Sequence, residues 1–226
     1  MMRRDHCLRI LAARVTDQIV VPVFQAAFDW LAIKPDGLNY TAVGAMGQAS
    51  SHALGLALGR PDKRVIVLDG DGSLLMNLGS LVTIAGVAPK NLVHFVCEND
   101  TYEANGGHPI PGAGRVDFAG LARAAGYRGA YDFADLDTFA ARVDEVLHAE
   151  GPVFATLRVV AGDPAPQDFA ALHSLEARRA FVERLRAVVS RANVRRLFRP
   201  VLPGSLTAVP LPTRMRLVRM CAILFR

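Results

Sequence analysis

Two short polar stretches of this 226-residue chain carry residue types able to hold a phosphate and a metal ion. Asp69-Gly70-Asp71-Gly72-Ser73 follows the β-branched run RVIVL, and Glu98-Asn99-Asp100-Thr101-Tyr102 follows NLVHFVC. Glycines at 70 and 72 let the backbone approach a bulky anion, and a helix beginning near Ser73 would turn unpaired N–H groups toward it. Asp71 offers a hard carboxylate and Asn99 an amide oxygen. That donor set suits Mg2+, which takes few protein ligands, keeps water and shares phosphate oxygens. The constellation points to a diphosphate held with magnesium. A dinucleotide fingerprint starting at Gly70 would need glycine at position 75, which is Leu, and no GxxxxGK[ST] motif occurs. A plain Asp-Gly turn capping a helix explains Gly70-Asp71-Gly72 alone but not its combination with Asn99.

The elements around these loops alternate. Residues 3–14 have a helical apolar face, 18–24 read as a strand, and 34–37 (KPDG) as a turn. Residues 48–58 form a helix of small residues, 64–68 a strand, 73–87 a helix and 91–97 a second buried strand. Helices are expected at 117–125 and 135–150, and a last strand at 152–160. This alternation predicts an α/β fold: a parallel sheet with helices on both faces. Ligands of such sheets sit beyond the carboxyl ends of the strands, where both polar loops emerge. Residues 174–189 read as a charged surface helix with Leu175, Phe181, Leu185 and Val188 inward.

Hydrophobic residues make up 51% of the chain and charged residues 21%, which excludes a disordered polymer. No run of about 18 apolar residues suggests a membrane span. The formal charge of +5 misleads: residues 191–226 hold eight arginines and no acid, which leaves 18 basic against 21 acidic residues before them. The body therefore has no nucleic-acid-binding signature. We divide the chain into a domain at 1–190 and a basic tail at 191–226, read as a disordered or non-native extension. Cys7, Cys97 and Cys221 are widely spaced and form no CxxC, which argues against a disulfide framework or zinc site. Asp5, His6, Arg9 and Arg14 interrupt any signal-peptide core, and a cytoplasmic location is expected.

The pattern of Gly-Asp-Gly followed about two dozen residues later by an Asn pair resembles that of the thiamine diphosphate (ThDP) enzymes. Here the first Asn of the pair is Glu98 and the second is kept as Asn99. The resemblance implies the diphosphate domain of the ThDP-binding fold, with Gly70, Asp71, Gly72 and Ser73 at the diphosphate. It implies Asp71, Asn99 and the Thr101 carbonyl as metal ligands, with Tyr102 beside the cofactor. Gly44-Ala45-Met46-Gly47 is similar to the segment that supports the bent cofactor. Met46 would be wedged between its rings, and the Gly44 carbonyl would accept from its 4′-amino group.

Within that superfamily the text AMGQASSHALGLAL, RPDKRVIVLDGDGSLLMNLGSL, APKNLVHFV and TYEANGGHP resembles phosphonopyruvate decarboxylase and the sulfopyruvate decarboxylase β subunit. Those families carry a polar loop after the first strand, whereas residues 22–32 (PVFQAAFDWLA) are largely apolar. Glu103 and His108 are candidate proton-handling residues, and His52 and His94 are expected to be structural. The family draws a Glu from a separate pyrimidine-binding domain, for which about 40 residues before Met46 leave no room. We therefore expect a separate α-type subunit carrying that domain and a small 2-oxo acid substrate with an anionic end. The alternatives are a non-catalytic ThDP-binding domain and a carboligase subunit of the acetolactate synthase type.

Overall fold

The strands of the centre are apolar on both faces because helices cover both. In a computed structural model that describes residues 2–160 and 167–187, Ile66 and Leu68 face one layer while Val65 and Val67 face the other. The chain runs β1 (Met2–Arg3), α1 (Arg4–Ala12), β2 (Ile19–Pro22), α2 (Phe24–Ile33), β3 (Leu38–Asn39), α3 (Ala49–Gly59) and β4 (Val65–Gly70). It continues through α4 (Asp71–Leu75), α5 (Ser80–Val87), β5 (Leu92–Glu98), β6 (Thr101–Tyr102), a 3-10 turn at Glu103–Asn105 and β7 (His108–Pro109). Then follow α6 (Phe118–Ala125), β8 (Gly129–Phe133), α7 (Leu136–His148), β9 (Val153–Val160), α8 (Phe169–Leu172) and α9 (Leu175–Ala187).

The main sheet is parallel throughout, in the order β1-β9-β5-β4-β2-β3, with β8 also pairing β9. Leu8, Leu11, Trp30, Phe139 and Val143 from α1, α2 and α7 pack on one face, and Ala49, Ala53, Ile84 and Phe118 from α3, α5 and α6 on the other. This is the expected two-sided α/β architecture. The chain passes from β2 out to β3 and then back to β4 on the other side of β2. That reversal opens a crevice at the carboxyl ends of β2 and β4, where ligands of such sheets bind.

Local chemistry explains the helix ends. Asp117 and Asp135 cap α6 and α7 by accepting the N–H groups of Gly120 (2.7 Å) and Thr138 (2.8 Å). At the end of α6, Gly126 adopts φ +105°, a conformation glycine reaches without strain.

Several expectations are corrected. The single helix over 73–87 is two helices, and the first begins at Asp71, not near Ser73. Between them, i→i+3 bonds from Met76 to Ser73 and from Asn77 to Leu74 tighten the chain into a turn. The apolar run after β2 is a helix, α2, and β1, β3 and β8 are strands that periodicity did not mark. In α9, Phe181 is buried and Leu185 packs against the core, but Leu175 is 60% exposed. Val188 lies outside the described residues. The described residues belong to one compact unit, and the tail at 191–226 also lies outside them.

Candidate functional site: a cleft at the ends of three strands

Strands β4 and β5 run in register with Gly70 opposite Cys97, so Asp71 and Asn99 both emerge just past the sheet edge. A cleft there is lined by Val23–Ala26 after β2, Asp69–Ser73 at the end of β4, and Cys97, Asn99 and Thr101–Ala104 at and beyond the end of β5, with Arg4 and Met46. Sequence-separated segments meet because parallel strands end together.

Asp71 is the pivot. Its Oδ1 accepts the N–H of Gly72 at 2.7 Å, and its Oδ2 accepts those of Asn99 at 2.9 Å and Asp100 at 2.7 Å. Burial pushes its carboxyl up to about 6 despite these three donors. No lysine, arginine or histidine pairs with it among the described residues. A buried carboxylate held only by backbone dipoles retains a demand for positive charge, which a divalent cation meets. The Asn99 side chain turns its Oδ1 to Thr101 (N at 3.0 Å, Oγ1 at 3.2 Å) and donates Nδ2 to Glu103 Oε2 at 3.0 Å. No group of three His, Cys, Asp or Glu side chains among the described residues is arranged for a metal. Of the three carboxylates at the cleft, Glu103 is engaged by Arg4 and Asp69 lies against His94, which leaves the Asp71 carboxylate and neutral oxygens, the chemistry of a hard cation that shares phosphate oxygens. The residues fit magnesium held with a diphosphate.

The second predicted block meets the first. Ser73 Oγ accepts the N–H of Gly47 at 2.9 Å, and Asn77 donates to the Gly47 carbonyl at 2.8 Å. Met46 is thereby held at the cleft, half-buried, whereas Gly44 is exposed and does not line it. Gly72 leaves no room for a side chain: a Cβ there would lie 2.5 Å from Cδ1 of Tyr102. Tyr102 itself forms part of the wall.

The two candidate proton-handling residues separate. Glu103 is on the wall, but its carboxylate is engaged by Arg4 and Asn99. His108 is exposed on β7 and does not line the cleft. His94 is fully buried, with Nε2 3.3 Å from Asp69 Oδ2, and His52 Nδ1 lies 3.0 Å from the Tyr40 hydroxyl, so both are packed into the fold. Burial, opposed by Arg158 and reinforced by neighbouring acids, pushes Glu98 up to about 7.

Sequence reasoning missed Arg4, Asp29 and Phe24. Arg4 is buried, and its Nε meets Asp29 Oδ2 at 2.5 Å. The one sequence signal was Asp29 itself, an acid within an otherwise apolar helix that needs a partner. Phe24, at the β2–α2 junction, has φ +48°, an uncommon conformation for a non-glycine residue at the rim of a site.

Residues 22–156 match the family described as thiamine pyrophosphate enzyme, C-terminal TPP binding domain. The phosphonopyruvate decarboxylase of Streptomyces viridochromogenes is 40% identical over 124 residues, which is 55% of this chain and 31% of that protein. The sulfopyruvate decarboxylase subunit beta of Methanothermobacter thermautotrophicus is 35% identical over 164 residues, 72% of this chain and 85% of that protein. The chain thus spans about a third of the phosphonopyruvate decarboxylases it matches and most of the β subunit. Among solved structures, the benzoylformate decarboxylase of Polynucleobacter necessarius superposes with a TM-score of 0.59 at 20% identity, covering 73% of this chain and 34% of that one; this shows the fold alone.

Proposed function

Since the chain belongs to the thiamine pyrophosphate enzymes through their C-terminal TPP-binding domain, we propose that it is the ThDP- and Mg2+-binding subunit of a 2-oxo acid decarboxylase. The proposed substrate class has a phosphonate, sulfonate or similar anionic end, in line with what its relatives are named for. The observation that carries the reading is the buried Asp71 carboxylate, which lacks a cationic partner among the described residues and holds the Asn99 loop beside it.

In this reading Asp71, the Asn99 amide oxygen and the Thr101 carbonyl hold the cation. Gly70, Gly72 and Ser73 border the diphosphate, and Met46 and Tyr102 contact the rings, while Gly44, outside the cleft wall, makes no contact. When bound, ThDP supplies a carbon nucleophile and an electron sink for the bond broken as CO2 leaves. The chain's part is to orient that group and to keep its diphosphate neutralised. A separate subunit carries the pyrimidine domain, as the β-subunit naming of a relative matched over most of its length supports.

The test is co-expression with a pyrimidine-domain subunit encoded beside it, followed by CO2 release from phosphonopyruvate, sulfopyruvate and pyruvate. Expected are turnover by the pair, none by the chain alone, and preference for the doubly anionic substrates. Turnover by the isolated chain would overturn the partner requirement, and equal rates on all three would overturn the anionic-end pocket. Binding of ThDP by the pair without CO2 from any substrate would establish the non-catalytic alternative.

A further inference from the structure

Arg4, the first residue of α1, is 3% exposed, and all three of its side-chain nitrogens are committed. Nε binds Asp29 on α2 at 2.5 Å; Nη1 and Nη2 take the two oxygens of Glu103 at 2.5 and 3.2 Å. The forked geometry fixes the plane of the Glu103 carboxylate. Burial alone would lower the arginine's basicity, but the Glu103 bond and the surrounding negative charge raise it above its ordinary range, so the guanidinium stays charged.

Glu103 Oε2 then accepts Asn99 Nδ2 at 3.0 Å. A carboxylate is only an acceptor and an amide presents a donor on one side and an acceptor on the other. With Nδ2 held by Glu103, the amide cannot turn over, and Oδ1 is kept on the Thr101 side. We infer that Arg4 and Glu103 are positioning residues for the metal: the arginine locks Glu103, and Glu103 locks the Asn99 amide so that its oxygen is the atom presented to the cation. The inference rests on the proposed magnesium site and adds to it two residues 99 positions apart that the ligand set does not include. Partners of this kind typically change metal affinity by about tenfold to a hundredfold.

Arg4→Ala would leave Asp29 buried without its partner and is apt to unfold the chain, so Glu103 carries the test. MgCl2 is titrated into the full chain paired with its pyrimidine-domain subunit at fixed, saturating ThDP, with the melting temperature and ThDP binding heat as readouts, alongside the unliganded melting temperature. Glu103→Ala is expected to raise the Mg2+ concentration for half effect about tenfold or more. Glu103→Gln, which keeps one acceptor oxygen, is expected to recover part of that loss, and Arg4→Lys to fall between. If the pair were only a fold brace, Glu103→Ala would lower the unliganded melting temperature and leave the Mg2+ midpoint unchanged; that result overturns the inference alone. A wild-type pair of subunits with no Mg2+-dependent ThDP binding overturns the site reading, and this inference with it.

Discussion

Asp71 Oδ2 and the backbone N–H of Asn99 are 2.9 Å apart, so the loop that ends one strand hangs on the carboxylate that follows its neighbour. Both residues are thereby fixed relative to each other before any ligand arrives. The same carboxylate also takes the N–H groups of Gly72 and Asp100, which leaves it buried, ordered and still short of positive charge.

Asp71→Asn replaces one acceptor oxygen with an amide that must face N–H donors. At least one of the Gly72, Asn99 and Asp100 N–H groups would lose its partner, at a cost of about 1–3 kcal/mol. Urea unfolding of the variant is expected to show that loss, and the rise in melting temperature produced by ThDP with Mg2+ should vanish. A wild-type response to the pair of ligands would remove Asp71 from the site.

Gly72→Ala drives a methyl group into the Tyr102 ring. Overpacking of this kind costs about 1–3 kcal/mol. The double variant Gly72→Ala/Tyr102→Ala should lose less than the sum of the two single changes, because the second removes the clash. Strict additivity in denaturant unfolding would show that the ring moves aside freely.

Cys7 and Cys97 are buried free thiols, and burial pushes both up to about 12. At pH 8 each is far less ionised than an unfolded cysteine, of which roughly a quarter would be thiolate. Iodoacetamide followed by peptide mapping is expected to leave both unmodified in the native chain and to label both in denaturant. Rapid native labelling of Cys97 would mean that the sheet edge beneath the cleft opens readily.

The central strands and the two loops were legible because their signals are local. RVIVL and NLVHFVC are β-branched and apolar, and each ends in glycine or polar residues. The helices of β-α-β connections show their spacing as well, but a continuous apolar period hides a turn. Leu74, Leu75, Leu78 and Leu81 keep a helical rhythm across the break between α4 and α5. There Asn77 bonds the Gly47 carbonyl from a distant segment, a pull that periodicity does not register. Helix α2 was missed for the opposite reason: with Ala26, Ala27, Phe28 and Trp30 all buried, it has no polar face to mark its period.

Residue types and order along the chain were enough to place one carboxylate and one amide at the ends of neighbouring parallel strands, because strand ends and turn residues are encoded over a few positions. Which other groups surround them was decided by folding. Arg4, Asp29 and Glu103 come from three separate elements, and only packing of α1 and α2 against the sheet brings their charges within bonding distance. The same packing sets Glu103 against Arg4 and Asn99 while His108 stays outside the cleft. A buried charge must find its counter-charge wherever the chain fold supplies one, and that choice depends on distance in space rather than on spacing in sequence.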